Sequence, residues 1–242
     1  MKEEIGSHTL WQLPVIGAVH GDTILTTWLA MAIALIVLGF VGSSYRSPRA
    51  GRTQTVFEGV VDYIADMVSG SLGKRGEPVV PFFIALFLLI FLLNQFGFLP
   101  LKALGLPFGG SPTADLNTTV AFALMVWVII QITAIRQRGL GAYAHIFQPW
   151  FLSPINLLEE LVRPVTLAAR LFFNIFVGEL LYIIIASIIV AKVSIGAFNL
   201  SLAAAILPFF IQFFNFFVGT VQAFVFTLLG IVYLSLATAE DH

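Results

Sequence analysis

The sequence predicts an all-α integral membrane protein: three upright transmembrane helices, one amphipathic helix on the membrane surface, and a hairpin of two long, steeply tilted membrane helices. Three observations carry that prediction. The chain is 59% hydrophobic and only 10% charged, where a soluble domain carries about 25% charged residues. Uncharged stretches of spanning length recur along it. The last two apolar stretches are much longer than an upright crossing requires.

Each element follows in order. Residues 1–22 contain Glu3 and Glu4 and no apolar h-region, so they read as an external N-terminal segment and not a signal peptide. The first span, 23–44, is then expected to direct insertion. Residues 54–70 place Glu58, Asp62 and Asp66 four apart, with Phe57, Val60, Val61, Ile64, Met67 and Val68 filling the other face. That pattern is an amphipathic helix too polar to span. Its acidic face does not suit lipid headgroups, which favour Lys and Arg; it either rests against another protein or is solvated. Residues 78–101 and 116–135 read as the second and third spans.

Beyond Pro149 the pattern changes. Residues 154–192 and 198–238 read as two helices joined by a turn near 194–199, with Gly196, Asn199 and Pro208 as interruptions. A helix of ~35 residues reaches ~52 Å, against a hydrocarbon core of ~30 Å. Such helices tilt, kink or run partly along the interface. Arg46, Arg49, Arg52, Lys74, Arg75, Arg136 and Arg138 fall on one side of this topology, and Lys2, Lys102 and Lys192 on the other. The bias puts the N-terminus outside and the C-terminus in the cytoplasm.

Several function classes drop out. The net charge of −1 offers no electrostatic footprint for nucleic acid. The chain has no cysteine, which removes disulfides, thiolate metal sites and cysteine nucleophiles. GSLGKRG (70–76) departs from a phosphate loop, with Val68 at the first glycine position and Arg75 at the Ser/Thr position; it reads as a cytoplasmic turn. His8, His20, His145 and His242 lie outside the spans without ligand spacing and read as solvated. No metal or cofactor is expected, and no nucleotide is expected to bind this chain.

The first long helix carries a polar stripe. Asn156, Glu159, Arg163, Thr166, Arg170 and Asn174 step by three or four residues onto one face. Such a stripe at membrane depth faces protein or water and not lipid. Arg170 lies midway along the segment, where an arginine costs ~2.5–3.5 kcal/mol on insertion scales. Glu179 lies about 13 Å outward, and Glu159 and Glu160 about 15–16 Å inward. At nine residues from Arg170, Glu179 points to the opposite side of the helix, which rules out a structural pair between them. The layout suggests two separate polar entrances with a positive charge between them. For Glu159, Glu160 and Arg163 a second reading stands beside this one, snorkelling at the interface. For Asn174 and Thr166 it is helix-packing hydrogen bonds. The second long helix offers Gln212, Asn215, Gly219, Gln222, Phe226 and Tyr233 as a matching stripe; its amides serve either a polar path or helix packing. If the hairpin is antiparallel with Gln222 level with Arg170, Asn215 lies level with Val177, close to Glu179.

These same residues carry a family resemblance. RLFFNIFVGEL (170–180) resembles the arginine signature of subunit a of F-type ATP synthases, bacterial type, with Phe173 where that family usually has glycine. NQFGFLP (94–100) resembles the end of its second span and SPTADLNTTVAFAL (111–124) the start of its third. PINLLEELVRPVTL (154–167) and VQAFVFTLLGIVYLSLA (221–237) resemble its two long helices. The blocks occur in the family's order from about residue 20 to the C-terminus.

The resemblance implies a non-catalytic proton-channel subunit of the Fo sector, forming two offset half-channels against a rotating c-ring and coupling proton translocation to rotation and ATP synthesis. It implies the c-ring, the peripheral-stalk b subunits and membrane lipid as partners, and a bacterial plasma membrane as location. Arg170 would be the essential arginine facing the ring carboxylate. Asn174 and Gln222 would be its polar neighbours, and Glu179 would belong to the outer half-channel. Many relatives carry a titratable group at the position of Asn215; asparagine does not exchange a proton at ordinary pH, so that position departs from the family pattern. The competing reading is a secondary transporter that binds an anionic solute at Arg170, although the five spans show no internal repeat.

Overall fold

The structure, a computed structural model, describes residues 10–13, 17–44, 52–97, 110–139, 153–190 and 200–239. The turn read near 194–199, the external lysines Lys2, Lys102 and Lys192, and His8, His145 and His242 lie outside the described residues.

The helices, in chain order, are α1 (Gly21–Ser44), α2 (Arg52–Leu72), α3 (Val80–Phe96), α4 (Leu116–Arg138), α5 (Ser153–Val190) and α6 (Leu200–Thr238). Five helical stretches among the described residues are long and apolar enough to cross a membrane. One of these stretches, Phe57–Phe96, runs from α2 through a 3₁₀ helix, Gly73–Val79, into α3. That 3₁₀ helix holds most of the segment read as a simple turn. Gly73 opens it at φ +59, a conformation glycine adopts at no steric cost.

Local chemistry sets the helix ends. The Asp115 side chain accepts from the Asn117 N–H at 2.9 Å and caps α4. Arg136 and Arg138 sit in the last turn of α4, against the negative end of its dipole. Gly139, at φ +68, closes that helix. Pro81 stands in the first turn of α3, where its missing N–H costs nothing.

Ahead of α1 the chain forms a small antiparallel hairpin, β1 (Leu10–Leu13) and β2 (Gly17–His20), with Leu10 opposite His20. The all-helical expectation contained no strand here. Four-residue strands around Pro14 are too short to announce themselves by period. Gly21 follows the hairpin, and a Cβ there would lie 2.6 Å from the Trp11 ring. The glycine lets the hairpin fold down onto the start of α1.

The centre of the molecule is made by α3, α4, α5 and α6. α6 packs against α3, α4 and α5, and α4 against α5. Phe83 and Ile90 of α3, Val126 of α4, Leu171 of α5 and Phe226 of α6 are buried together. Between helices in lipid there is no hydrophobic driving force, so close packing has to hold them. Small residues provide it. A Cβ on Gly219 would stand 3.2 Å from Asn94 Cβ, and one on Gly230 would stand 3.0 Å from the Phe83 ring.

α1 is peripheral, leaning on α3 through Ala30, Leu93 and Phe96. Its Leu35, Ile36 and Phe40 remain exposed, as suits a lipid-facing surface. α2 buries Ile64 and Val68 in the central core, and Tyr63 meets the Phe224 ring at 5.6 Å. Its apolar face therefore covers the bundle, while Asp62 and Asp66 stay exposed.

Replacing Gly219 by Leu should lower the stability of the detergent-solubilised protein by about 1–3 kcal/mol, through overpacking between α3 and α6. Gly59→Ala, where nothing lies within 4 Å of an added Cβ, should gain up to about 1 kcal/mol of helix propensity. Thermal unfolding of the two variants side by side checks the pair.

Candidate functional site

Arg170 stands seventeen residues after the start of α5 and twenty before its end. Its side chain is exposed on the flank of the bundle. Among the described residues no hydrogen bond or ion pair joins it to its own chain. Thr166, one turn earlier, donates its hydroxyl only to the backbone of α5, at Val162 O and Arg163 O, each 3.0 Å away. The surface around them is apolar, with Val162, Val165, Phe173 and Val177 exposed.

C-terminal to Arg170 along α5, a polar cluster joins three helices and a loop. Asn174 Nδ2 donates to Gln222 Oε1 at 2.5 Å. Asn215 Nδ2 donates to Gly178 O at 3.1 Å. These two bonds set the register of α5 against α6. Seven residues on from Asn215 along α6 and seven back from Gly178 along α5, Gln222 comes level with Leu171, beside Arg170, and its side chain reaches about one turn along α5 to Asn174. Asn215 is level with Gly178, within a residue of the expected place. Gly178 makes that contact possible, since a Cβ there would lie 2.6 Å from Asn215 Oδ1. Gln222 Nε2 is buried and has no hydrogen-bond acceptor among the described residues. Gln212 Nε2 donates to Gly97 O at 3.3 Å.

Glu179 reaches the same cluster from the far side of α5. Its Oε1 accepts from the Ser111 backbone N–H at 2.7 Å. The carboxylate sits over glycine: a Cβ on Gly97 would stand 2.9 Å from Oε1, and one on Gly110 would stand 3.9 Å away. Glu179, Asn174, Asn215, Asn94, Gln95 and Gly97 help line a cavity of about 20 Å³, room for a water. Among its described lining residues Glu179 is the one titratable group.

Toward the N-terminal end of α5 a second cluster forms. Arg163 Nη1 pairs with Glu160 Oε2 at 3.0 Å, and Nη2 with Glu159 Oε1 at 3.2 Å. Glu160 Oε1 accepts from Trp127 Nε1 at 3.3 Å and from Gln131 Nε2. The Arg163 guanidinium lies over the Tyr233 ring, 5.8 Å from its centre. Glu160 is thus held between α4 and α5. Glu159 remains mostly exposed, with 66% of its side chain accessible.

Between the clusters the interior is apolar. Leu167, Ala168 and Leu171 of α5, Ala223 and Phe226 of α6, and Val126 and Ile130 of α4 are all buried there. No polar side chain among them connects Glu179 to Glu160 through the chain itself.

The chain matches the family model described as ATP synthase A chain over residues 24–235. It belongs to that family. Members of the ATP synthase A chain family act as the non-catalytic proton-channel part of the Fo sector, working with the c-ring, so this chain is a multi-pass membrane subunit with that general role. The solute-transporter reading is left without support.

Several residues of the site were not singled out from the sequence. Asn94 and Gln95 end an otherwise oily α3, and Ser111 and Thr113 open the segment before α4; all are turned inward. Trp127 and Gln131 on α4 also escaped notice. Buried amides at the end of a charge-free span were the available signal. His20, read as solvated, instead meets Asp115 Oδ2 through Nδ1 at 2.5 Å. That pair borders an open cleft of about 540 Å³ between α1 and α4, apart from both clusters. Among the described residues no group of three His, Cys, Asp or Glu side chains could hold a metal.

Glu160→Gln leaves Arg163 without its more enclosed partner and should cost about 1–3 kcal/mol in stability. Glu159→Gln, which removes an exposed partner, should cost less than about 1 kcal/mol. Chemical or thermal unfolding of each variant reads the difference.

Proposed function

We propose that the two polar clusters are the inner ends of two offset half-channels, and that Arg170 between them faces the mid-membrane carboxylate of each passing c-ring subunit. One observation carries this reading. An exposed arginine without a partner among the described residues lies on the flank between two polar clusters, while apolar side chains fill the core that separates those clusters.

The mechanism follows from charge and solvation. A protonated ring carboxyl is neutral and crosses lipid cheaply; an ionised one does not. Beside Arg170 the ionised form is stabilised and a proton is released. Among the described residues, Leu171, Phe226 and their apolar neighbours offer that proton no polar side chain to cross by, and the guanidinium repels it from a direct crossing. The ring has to turn for the proton taken up on one side to leave on the other. The energy available is ~2.3 kcal/mol per charge per 100 mV.

Glu179 serves the outer half-channel, with Asn174 and Gln222 as the polar neighbours nearest Arg170. Asn215 does not titrate, so it acts as a wall and as the bond that fixes α6 to Gly178. Glu159 and Glu160 mark the inner half-channel. α5 has 38 residues, about 57 Å of helix, against a hydrocarbon core of ~30 Å. A tilted α5–α6 hairpin of that length offers a concave wall to a cylindrical ring. The exposed apolar surface beside Arg170 suits that contact. Elsewhere on the bundle, lipid and the peripheral-stalk b subunits are the partners. The N-terminus lies outside and the C-terminus in the cytoplasm of a bacterial plasma membrane, following the bias of the basic residues.

In the assembled enzyme, Arg170→Ala and Arg170→Lys should both abolish ATP-driven proton pumping into vesicles. Lysine fails because its compact ammonium does not reproduce planar guanidinium contacts. Glu179→Gln should slow pumping less severely. Pumping retained by Arg170→Ala would refute the assignment.

A further inference from the structure

We propose that Thr113 and Asn94 are positioning residues for Glu179, acting through a hydrogen-bonded lock that aims the Ser111 N–H at its carboxylate. The inference rests on the proposed role of Glu179 in proton transfer and goes beyond it, because neither residue touches Glu179 through its side chain in the bonds described.

The lock is built into the sequence Gly110-Ser111-Pro112-Thr113. Gly110 is at φ +94, which a residue with a Cβ rarely adopts. Ser111 precedes a proline and is extended, at φ −79 and ψ 122, as that position requires. The chain then tightens into a 3₁₀ turn, with Ala114 N–H donating to Ser111 O at 3.0 Å. This sharp entry turns the Ser111 N–H away from the loop and onto Glu179 Oε1.

Side chains hold the turn in place. Thr113 Oγ1 donates to Asn94 Oδ1 at 2.7 Å and lies 2.6 Å from Ser111 Oγ. Asn94 Nδ2 donates to Gly219 O at 2.9 Å, which fixes the amide so that its oxygen is left to accept from Thr113. Ser111 Oγ is also 2.9 Å from Leu93 O. Ser111, Thr113 and Asn94 are all buried, so an unmade bond here is costly. The loop is thereby tied to α3 and, through Gly219, to α6, and it presents one fixed N–H to a side chain of α5. Glu179 has glycine on both neighbouring segments and no Cβ to wedge it.

The test uses the assembled ATP synthase in vesicles, with rates normalised to complex content. Thr113→Val keeps the shape and removes the hydroxyl; Thr113→Ser keeps the hydroxyl. Ser111→Ala, which keeps the N–H but cuts its tie, runs in parallel in case valine impairs assembly. The valine variant should pump about tenfold more slowly, the equivalent of one hydrogen bond to a charged group, and its dependence on external pH should change. Serine should restore both. In a Glu179→Gln background, where residue 179 no longer titrates, valine should leave the pH dependence unaltered. An unchanged pH profile in Thr113→Val and Ser111→Ala, an equal change in the Glu179→Gln background, or failure of both variants to assemble would overturn the proposal. Arg170→Ala in the same assay separates the two levels. If it still pumps, the functional reading fails; if it is dead while Thr113→Val behaves like wild type, only the lock fails.

Discussion

A guanidinium that no group among the described residues neutralises, held halfway along a membrane helix, is the constraint on which this structure turns. Insertion of such a charge costs ~2.5–3.5 kcal/mol or more, and α5 offers it no acceptor to offset that. The contrast with Arg163, seven residues earlier, is instructive. Arg163 is gripped by Glu159, Glu160 and the Tyr233 ring. The chain can satisfy an arginine when it folds one inward; at Arg170 it does not. A charge left in that condition needs an external counter-charge, and the exposed apolar flank around it is where a neighbouring protein has room to bring one.

The remainder of the fold keeps that charge isolated. Polar groups collect toward both ends of α5 from it, and the layers between them are filled by Leu167, Ala168, Leu171, Ala223 and Phe226. Helix packing and polar patterning are the same thing here. Asn174 with Gln222 and Asn215 with Gly178 clamp α5 to α6, and two of these side chains, Asn174 and Asn215, also line the cavity beside Glu179. Amide pairs suit both duties because they satisfy one another away from water and remain able to bond a water or a carboxylate. Glycine completes the arrangement: Gly178 and Gly219 let amides approach backbone, and Gly97 leaves space for a carboxylate.

Much of this was legible in the sequence, for physical reasons that differ by element. Charge-free stretches gave away α1, α3 and α4 because lipid tolerates little else. The lengths of α5 and α6 and the i, i+4 steps of Asn174, Arg170 and Asn215, Gly219 followed from helical period. Arg170 and Glu179 stood out because charge is rare in such company. The register of α6 against α5 lies within a residue of that expected, with Asn215 meeting Gly178 beside Val177; the reach of Gln222 to Asn174 depends on side-chain conformation, which period does not encode. Ser111, Thr113 and Asn94 were invisible as site residues, since small polar groups near helix ends ordinarily read as caps and turns. The hairpin of β1 and β2 and the meeting of His20 with Asp115, ninety-five residues apart, depend on tertiary contact that no local pattern encodes.

The most direct measurement is the distance from the Arg170 guanidinium to the nearest ring carboxylate in a reconstruction of the intact Fo sector. The account predicts approach to within about 6 Å at the closest ring subunit, with Leu171 and Phe226 still sealing the interior behind it. A guanidinium turned to lipid headgroups, or folded back into an ion pair with Glu160 or Glu179, would contradict it.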